Sequence, residues 1–219
     1  MAKRKVRYVC SNCGSISSRW LGRCPQCGEW NTMTEEEEAA AAPKGSRSIQ
    51  RSGAGIKPYA LPDIAMENMT RVATGIGELD RVLGGGIVPG ALILLSGDPG
   101  IGKSTIVLQA AAAVCKTAGT VLYGSGEESA GQIKMRAQRL GIDAANLIIQ
   151  ADTSLDAVLQ EARRLRPALL VVDSIQTMYS SEADGTPGSL SQIREGTSRL
   201  MTFAKTETIP VIVIGHVTK

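Results

Sequence analysis

The residues with the plainest chemistry are Gly97-Asp98-Pro99-Gly100-Ile101-Gly102-Lys103-Ser104, which fit the phosphate-loop pattern GxxxxGK[ST] at each fixed position. Glycine at 97, 100 and 102 tolerates positive φ and lets backbone N–H groups close around phosphate oxygens. Lys103 offers a point charge to the β/γ-phosphates and the Ser104 hydroxyl offers Mg2+ a ligand. Thr105 carries the chain into a helix whose N-terminus points at the same anion. The run from Gly97 to Thr105 is therefore a candidate site for a nucleoside triphosphate such as ATP.

A second cluster is Cys10, Cys13, Cys24 and Cys27, two CxxC pairs separated by ten residues. A two-residue gap lets both thiolates of a pair reach one ion, and four thiolates describe a closed, structural Zn2+ site with no open position for catalysis. Gly14 and Gly28 follow the pairs, where a tight turn can aim N–H groups at sulfur. Tyr8, Trp20 and Trp30 surround the cysteines. Beside basic residues such rings can stack on unpaired bases. The alternative is that they shield the metal; Trp30 is read that way and Trp20 stays open between the two.

Three further positions bear on phosphate chemistry. Gly126-Glu127-Glu128-Ser129 follows the apolar run Thr120-Val121-Leu122-Tyr123, and Glu127 there is placed to polarise an attacking water. Acids at a helix start are favoured in any case, which is the competing account, stronger for Glu128 than for Glu127. Leu169-Leu170-Val171-Val172 ends in Asp173, a buried parallel strand delivering a carboxylate to a Mg2+ shell. His216, the one histidine, stands at the end of the last apolar run, read equally as a γ-phosphate sensor or as packing.

The elements that must position these groups follow from periodicity. Strands are expected at 92–95, 120–123, 147–149, 169–172 and 210–214, and helices from 103, over 130–140, 155–166 and 193–205. Thr74 is expected to cap a short amphipathic helix, 177–191 to be a mobile loop, and Cys115 to be a small core residue. The fold class is α/β with a mostly parallel central sheet, preceded by a small zinc-ribbon module. The expected domains are 1–32 (metal), 33–65 (a flexible linker in which glutamates 35–38 are a solvated run) and 66–219 (nucleotide).

Composition agrees with that division. An apolar fraction of 43% with 3% aromatics calls for an aliphatic interior. Net charge is +3, but residues 1–30 hold six basic residues against Glu29 alone, which suits a phosphate-facing surface or a solvated basic tail equally. Met1-Ala2-Lys3-Arg4-Lys5 leads into no apolar signal segment, and no run is long enough to span a membrane, so a cytoplasmic chain is expected. In a reducing compartment paired cysteines favour metal over disulfides.

Strand by strand the pattern resembles RecA-type ATPases, and four stretches resemble the RadA (Sms) family of bacterial DNA repair proteins. These are 19–32 around the second CxxC, 74–90 running into the phosphate loop, Gly126-Glu127-Glu128-Ser129, and Gly215-His216-Val217-Thr218-Lys219. The resemblance implies a DNA-dependent ATPase promoting branch migration during recombination, similar to DnaB-type helicases and hexameric when full length. It implies single-stranded and branched DNA and a RecA-type recombinase as partners, and no membrane. It implies Lys103 and Ser104 on nucleotide and Mg2+, Glu127 as base, Asp173 on the metal, and the four cysteines on zinc. The family's Lys-Asn-Arg-Phe-Gly motif and Lon-like domain are not in this sequence. The ATPase core is therefore expected to be incomplete at its C-terminal end, and turnover by this length of chain is left open. A non-hydrolysing, ATP-sensing zinc-ribbon adaptor of the RecA and circadian-clock ATPase superfamily is the alternative.

Overall fold

In a computed structural model of the chain, residues 6–11, 14–37, 60–63 and 70–216 are described. The chain forms two compact units, Met1–Met66 and Glu67–Lys219.

The first unit is a three-stranded antiparallel ribbon of β1 (Val6–Cys10), β2 (Ile16–Ser17) and β3 (Met33–Glu37), in the order β2-β1-β3. Its small core is Cys10, Cys24 and Met33, with Tyr8, Leu21 and Cys27 packed against them. Strand β3 corrects the expected linker start at 33. Its five residues pair with β1 from Val6↔Glu37 to Cys10↔Met33, so this acidic stretch belongs to the ribbon. Backbone pairing and the buried Met33 hold it, which its run of glutamates does not record. The expected linker at 38–59 and 64–65 lies outside the described residues; Leu61–Asp63 forms a 3-10 turn. Trp30 is also corrected. It is 67% exposed and Trp20 56%, while the place of a mini-core is taken by Met33 and the cysteines.

The second unit has a five-stranded parallel sheet made of β4 (Leu92–Gly97), β5 (Val121–Ser125), β6 (Leu147–Ala151), β7 (Leu169–Asp173) and β8 (Val211–His216). The strand order is β4-β8-β7-β5-β6. Strands β5 and β7 are buried throughout, as expected of a parallel sheet covered on both faces. Alternation along each strand divides the core in two. Leu122, Leu170, Val172, Val211 and Val213 pack against α4 (Leu155–Leu165) and α5 (Leu190–Glu207). Tyr123, Leu169, Val171, Ile212 and Ile214 pack against α2 (Lys103–Thr117) and α3 (Ala130–Arg139). Cys115 lies buried in the second of these, and burial pushes its thiol pKa up, as suits a core residue.

Two local expectations change. Helix α1 (Gly77–Val82) is preceded by Ile76 with no side-chain cap; Thr74 is buried, and its N–H donates to Asp80 Oδ1 at 2.8 Å. The loop after β7 is anchored rather than loose. Buried Gln192 accepts from Ser180 N–H at 2.8 Å and donates to the carbonyls of Ser180 and Ala183, and Asp156 accepts from Ser181 Oγ–H at 2.8 Å. Polar loop residues read as freedom in the sequence; here they are the anchoring groups.

Candidate functional site

Because the sheet is parallel, its carboxyl ends lie along one edge. Register places Gly97 beside His216 and Ser125 beside Asp173. Gly126 N–H donates to the Asp173 carbonyl at 2.9 Å, and Ile175 N–H to the Ile214 carbonyl at 3.0 Å, so the polar segments after these strands are tied together. Ligands of open α/β sheets sit at such an edge.

The phosphate loop joins β4 to α2. Gly100 and Gly102 have φ of 80° and 99°, and a Cβ at either would meet none of the described residues within 4 Å, so backbone conformation rather than crowding demands glycine there. Gly97 differs from expectation: it closes β4 without positive φ, and a Cβ would come to 3.6 Å from Ile101 Cγ2 and 3.9 Å from Lys103 Cδ. Gly102 is the N-cap of α2 and has no side chain with which to cap that terminus, the arrangement that leaves a helix end able to meet an anion. Asp98, Pro99 and Ile101 complete the loop, and Ser104 and Thr105 lie in the first turn of α2, half-buried. Lys103 is buried, and its Nζ donates to the carbonyls of Gly97 and Asp98 at 2.8 Å each.

Glu127 and Glu128 part company. Glu127 Oε1 accepts from Ser174 Oγ–H at 2.6 Å and lies 2.9 Å from His216 Nε2. Burial works to raise its pKa, but the bonds from Ser174 and His216 and the charge of Lys103 outweigh it, so the carboxyl is held below its ordinary value. An ionised carboxylate only accepts, so His216 presents Nε2–H to it. Glu128 Oε2 instead pairs with Arg136 Nη2 at 2.6 Å, in the last turn of α3, and its N–H donates to Ser125 Oγ. Asp173 is buried. Its Oδ2 accepts from Tyr123 O–H at 2.6 Å, while Oδ1 is buried without a hydrogen-bond partner among the described residues. A buried carboxylate oxygen left unmatched is costly unless a cation or water meets it, so the donor set fits a metal-serving role.

Ser174 and Tyr123 were not singled out from sequence. Ser174 carried no signal beyond following Asp173. Tyr123 was visible as the single aromatic in an aliphatic strand, a residue whose hydroxyl needs a partner when buried. Val217, Thr218 and Lys219, the rest of the final motif, lie outside the described residues.

In the ribbon, Sγ atoms of Cys10, Cys24 and Cys27 all lie within 4.8 Å of one another, and Cys10 and Cys27 are 3.7 Å apart. A tetrahedral ion bound at about 2.3 Å to sulfur sets its ligands about 3.8 Å apart, so these positions fit Zn2+. Cys13 lies outside the described residues. Gly14 and Gly28 have φ of 71° and 76°, and their N–H groups donate to the carbonyls of Cys10 and Cys24 at 2.8 and 2.9 Å, carbonyl oxygen taking the bond expected at sulfur. Thr32 Oγ1 is 3.2 Å from Cys10 Sγ. Arg23 donates to the Gly28 carbonyl at 2.7 Å and lies over the Trp30 ring at 5.8 Å.

Comparison with known proteins agrees with both halves. An AAA domain family model matches residues 58–219, and a rubredoxin metal binding domain matches residues 8–35. Proteins named DNA repair protein RadA are similar along the whole chain, at 46% identity in Halalkalibacterium halodurans and in Bacillus subtilis and 47% in Listeria monocytogenes. The chain spans about half the length of these curated relatives, 48% of the first two and 47% of the third. It therefore belongs to the AAA domain family, as a member that is similar to the RadA repair proteins along its whole length and carries a rubredoxin-type metal ribbon ahead of its AAA domain.

Proposed function

We propose that this chain is the metal-ribbon and motor part of a DNA-stimulated ATP hydrolase acting in recombinational DNA repair, where it promotes branch migration as a hexamer of the full-length protein. The observation that carries the reading is the single sheet edge on which the phosphate loop, Glu127 and Asp173 are gathered. The similarity to RadA proteins along the whole of this chain supports the choice of DNA repair.

In this reading Lys103 exchanges the Gly97 and Asp98 carbonyls for phosphate oxygens, and the first N–H groups of α2 meet the same anion. Ser104 and Asp173 hold Mg2+, which supplies neutralising charge at the phosphates. Glu127 takes the proton of the attacking water, with Ser174 and His216 fixing the carboxylate that does so. The four ribbon cysteines, Cys13 included, hold Zn2+ for folding rather than chemistry. Single-stranded and branched DNA and a RecA-type recombinase are its partners. Residues 66–219 form the motor domain, and the chain between β3 and residue 66 joins it to the ribbon.

The test is phosphate release by the full-length protein with and without single-stranded DNA. We expect DNA to accelerate release and Lys103→Ala to abolish it. Release at the buffer rate under both conditions, with ATP still bound, overturns the hydrolase reading and leaves an ATP-sensing adaptor.

A further inference from the structure

The proposed base, loop and metal ligands give no role to the phenol of Tyr123, which reaches the carboxylate of Asp173. It lies wholly buried in the middle of β5, among Val121, Leu122 and Gly124. A hydroxyl in such surroundings is unfavourable unless bonded, and a phenylalanine would fill the same space without that cost. Its partner is Asp173 Oδ2, at 2.6 Å. Tyr123 and Asp173 lie on the sheet face that α2 covers: Tyr123 joins the apolar cluster there with Val107 and Leu108, and Asp173 continues the alternation of Leu169 and Val171.

We propose that Tyr123 is a positioning residue for the metal of this site: it occupies one oxygen of Asp173 and leaves Oδ1, buried and unbonded among the described residues, as the single oxygen offered to the cation. This rests on the reading of Asp173 as the carboxylate that serves Mg2+. A carboxylate with both oxygens available can grip a cation through both, as large, flexibly coordinated Ca2+ accepts; Mg2+ demands near-octahedral geometry and keeps several waters. Holding Oδ2 back therefore favours Mg2+ over Ca2+.

The experiment is calorimetric titration of the full-length protein with a non-hydrolysable ATP analogue in Mg2+, in Ca2+ and in EDTA. In the wild type Mg2+ tightens binding relative to EDTA. In Tyr123→Phe we expect the EDTA affinity to hold within about twofold while the gain from Mg2+ falls about tenfold and that from Ca2+ falls less, in line with the usual effect of losing a partner of a metal ligand. In an Asp173→Ala background the tyrosine change should add nothing. An unchanged gain from Mg2+ overturns the proposal, and so does an equal loss with and without metal, which marks a packing role. Should Tyr123→Phe not fold, 4-fluorophenylalanine at position 123 keeps the ring and fills the para position while removing the O–H donor. A gain from Mg2+ identical to that of the tyrosine protein then overturns the proposal. If the wild type itself gains nothing from Mg2+, the metal reading of Asp173 has failed; if it gains and Tyr123→Phe gains equally, only the role of Tyr123 has failed.

Discussion

Glu127 is held ionised by contacts that come from two different strand ends, Ser174 just past β7 and His216 at the end of β8. Its pKa is lowered despite partial burial, and the sign of the pH effect follows. The ionised form is favoured in the fold, so its contribution is fully present above the unfolded pKa and fades as pH falls through the folded one. Glu127→Gln should lower hydrolysis by about 10²–10⁴-fold with nucleotide affinity kept, the range typical of losing a general base. Ser174→Ala or His216→Ala removes a bond to the carboxylate, so the acid limb of the rate profile should move to higher pH. A limb at the same pH in both variants would show that Glu127 does not control it. The sequence showed which strand ends carry polar side chains and that two glutamates compete at 127 and 128. It could not show that Glu127 turns to Ser174, 47 residues away, because that depends on how β5 and β7 register, nor that Glu128 turns to Arg136 of α3 instead.

Element by element, the second unit was the more legible because each of its strands is an apolar run bounded by polar or glycine residues. Strands β4 to β8 and helices α2 to α5 form where periodicity placed them, with ends moved by up to three residues. Strand β3 was hidden by its glutamates, since pairing with β1 is a backbone matter that composition does not record. The caps at Ser129, Ser154 and Ser189, each accepting from an N–H three residues on, were present in the sequence as ordinary start signals for α3, α4 and α5. Gly124 shows the reverse case, a residue odd for a strand interior until its neighbour is known. A Cβ there would lie 3.1 Å from Val158 Cγ1 and 3.3 Å from Val158 Cγ2, so α4 approaches β5 closely because glycine stands at 124. Gly124→Val should destabilise the second unit by about 1–3 kcal/mol, as overpacking does. Val158→Ala in the same chain should return part of that loss, read as the midpoint of thermal unfolding. If the two changes add as independent losses, the contact is not what selects glycine.

At the scale of the molecule, the two units draw on different sources of stability. The second has apolar clusters on both faces of its sheet, all from residues beyond 70. The first has Cys10, Cys24 and Met33, two of them members of the sulfur cluster. So small a core supplies little folding energy, and metal binding must provide most of it. Zinc removal from this 219-residue chain should then unfold the ribbon and leave the second unit's thermal transition in place. Within residues 1–219 both tryptophans, Trp20 and Trp30, lie in the ribbon, so the indole fluorescence of this 219-residue chain reports that unit alone. Both rings are already more than half exposed, at 56% and 67%, so emission wavelength should shift little on unfolding. Anisotropy is the sharper readout, because Trp30 loses its place against Arg23 and the ring gains fast local rotation. We expect a strong chelator to lower anisotropy, added Zn2+ to restore it at one ion per chain, and Cys24→Ser to stay low at any zinc concentration. Anisotropy that survives complete metal removal would mean that backbone pairing of β1 with β3 is enough to fold the ribbon, and that the sulfur cluster is a consequence of the fold rather than its cause.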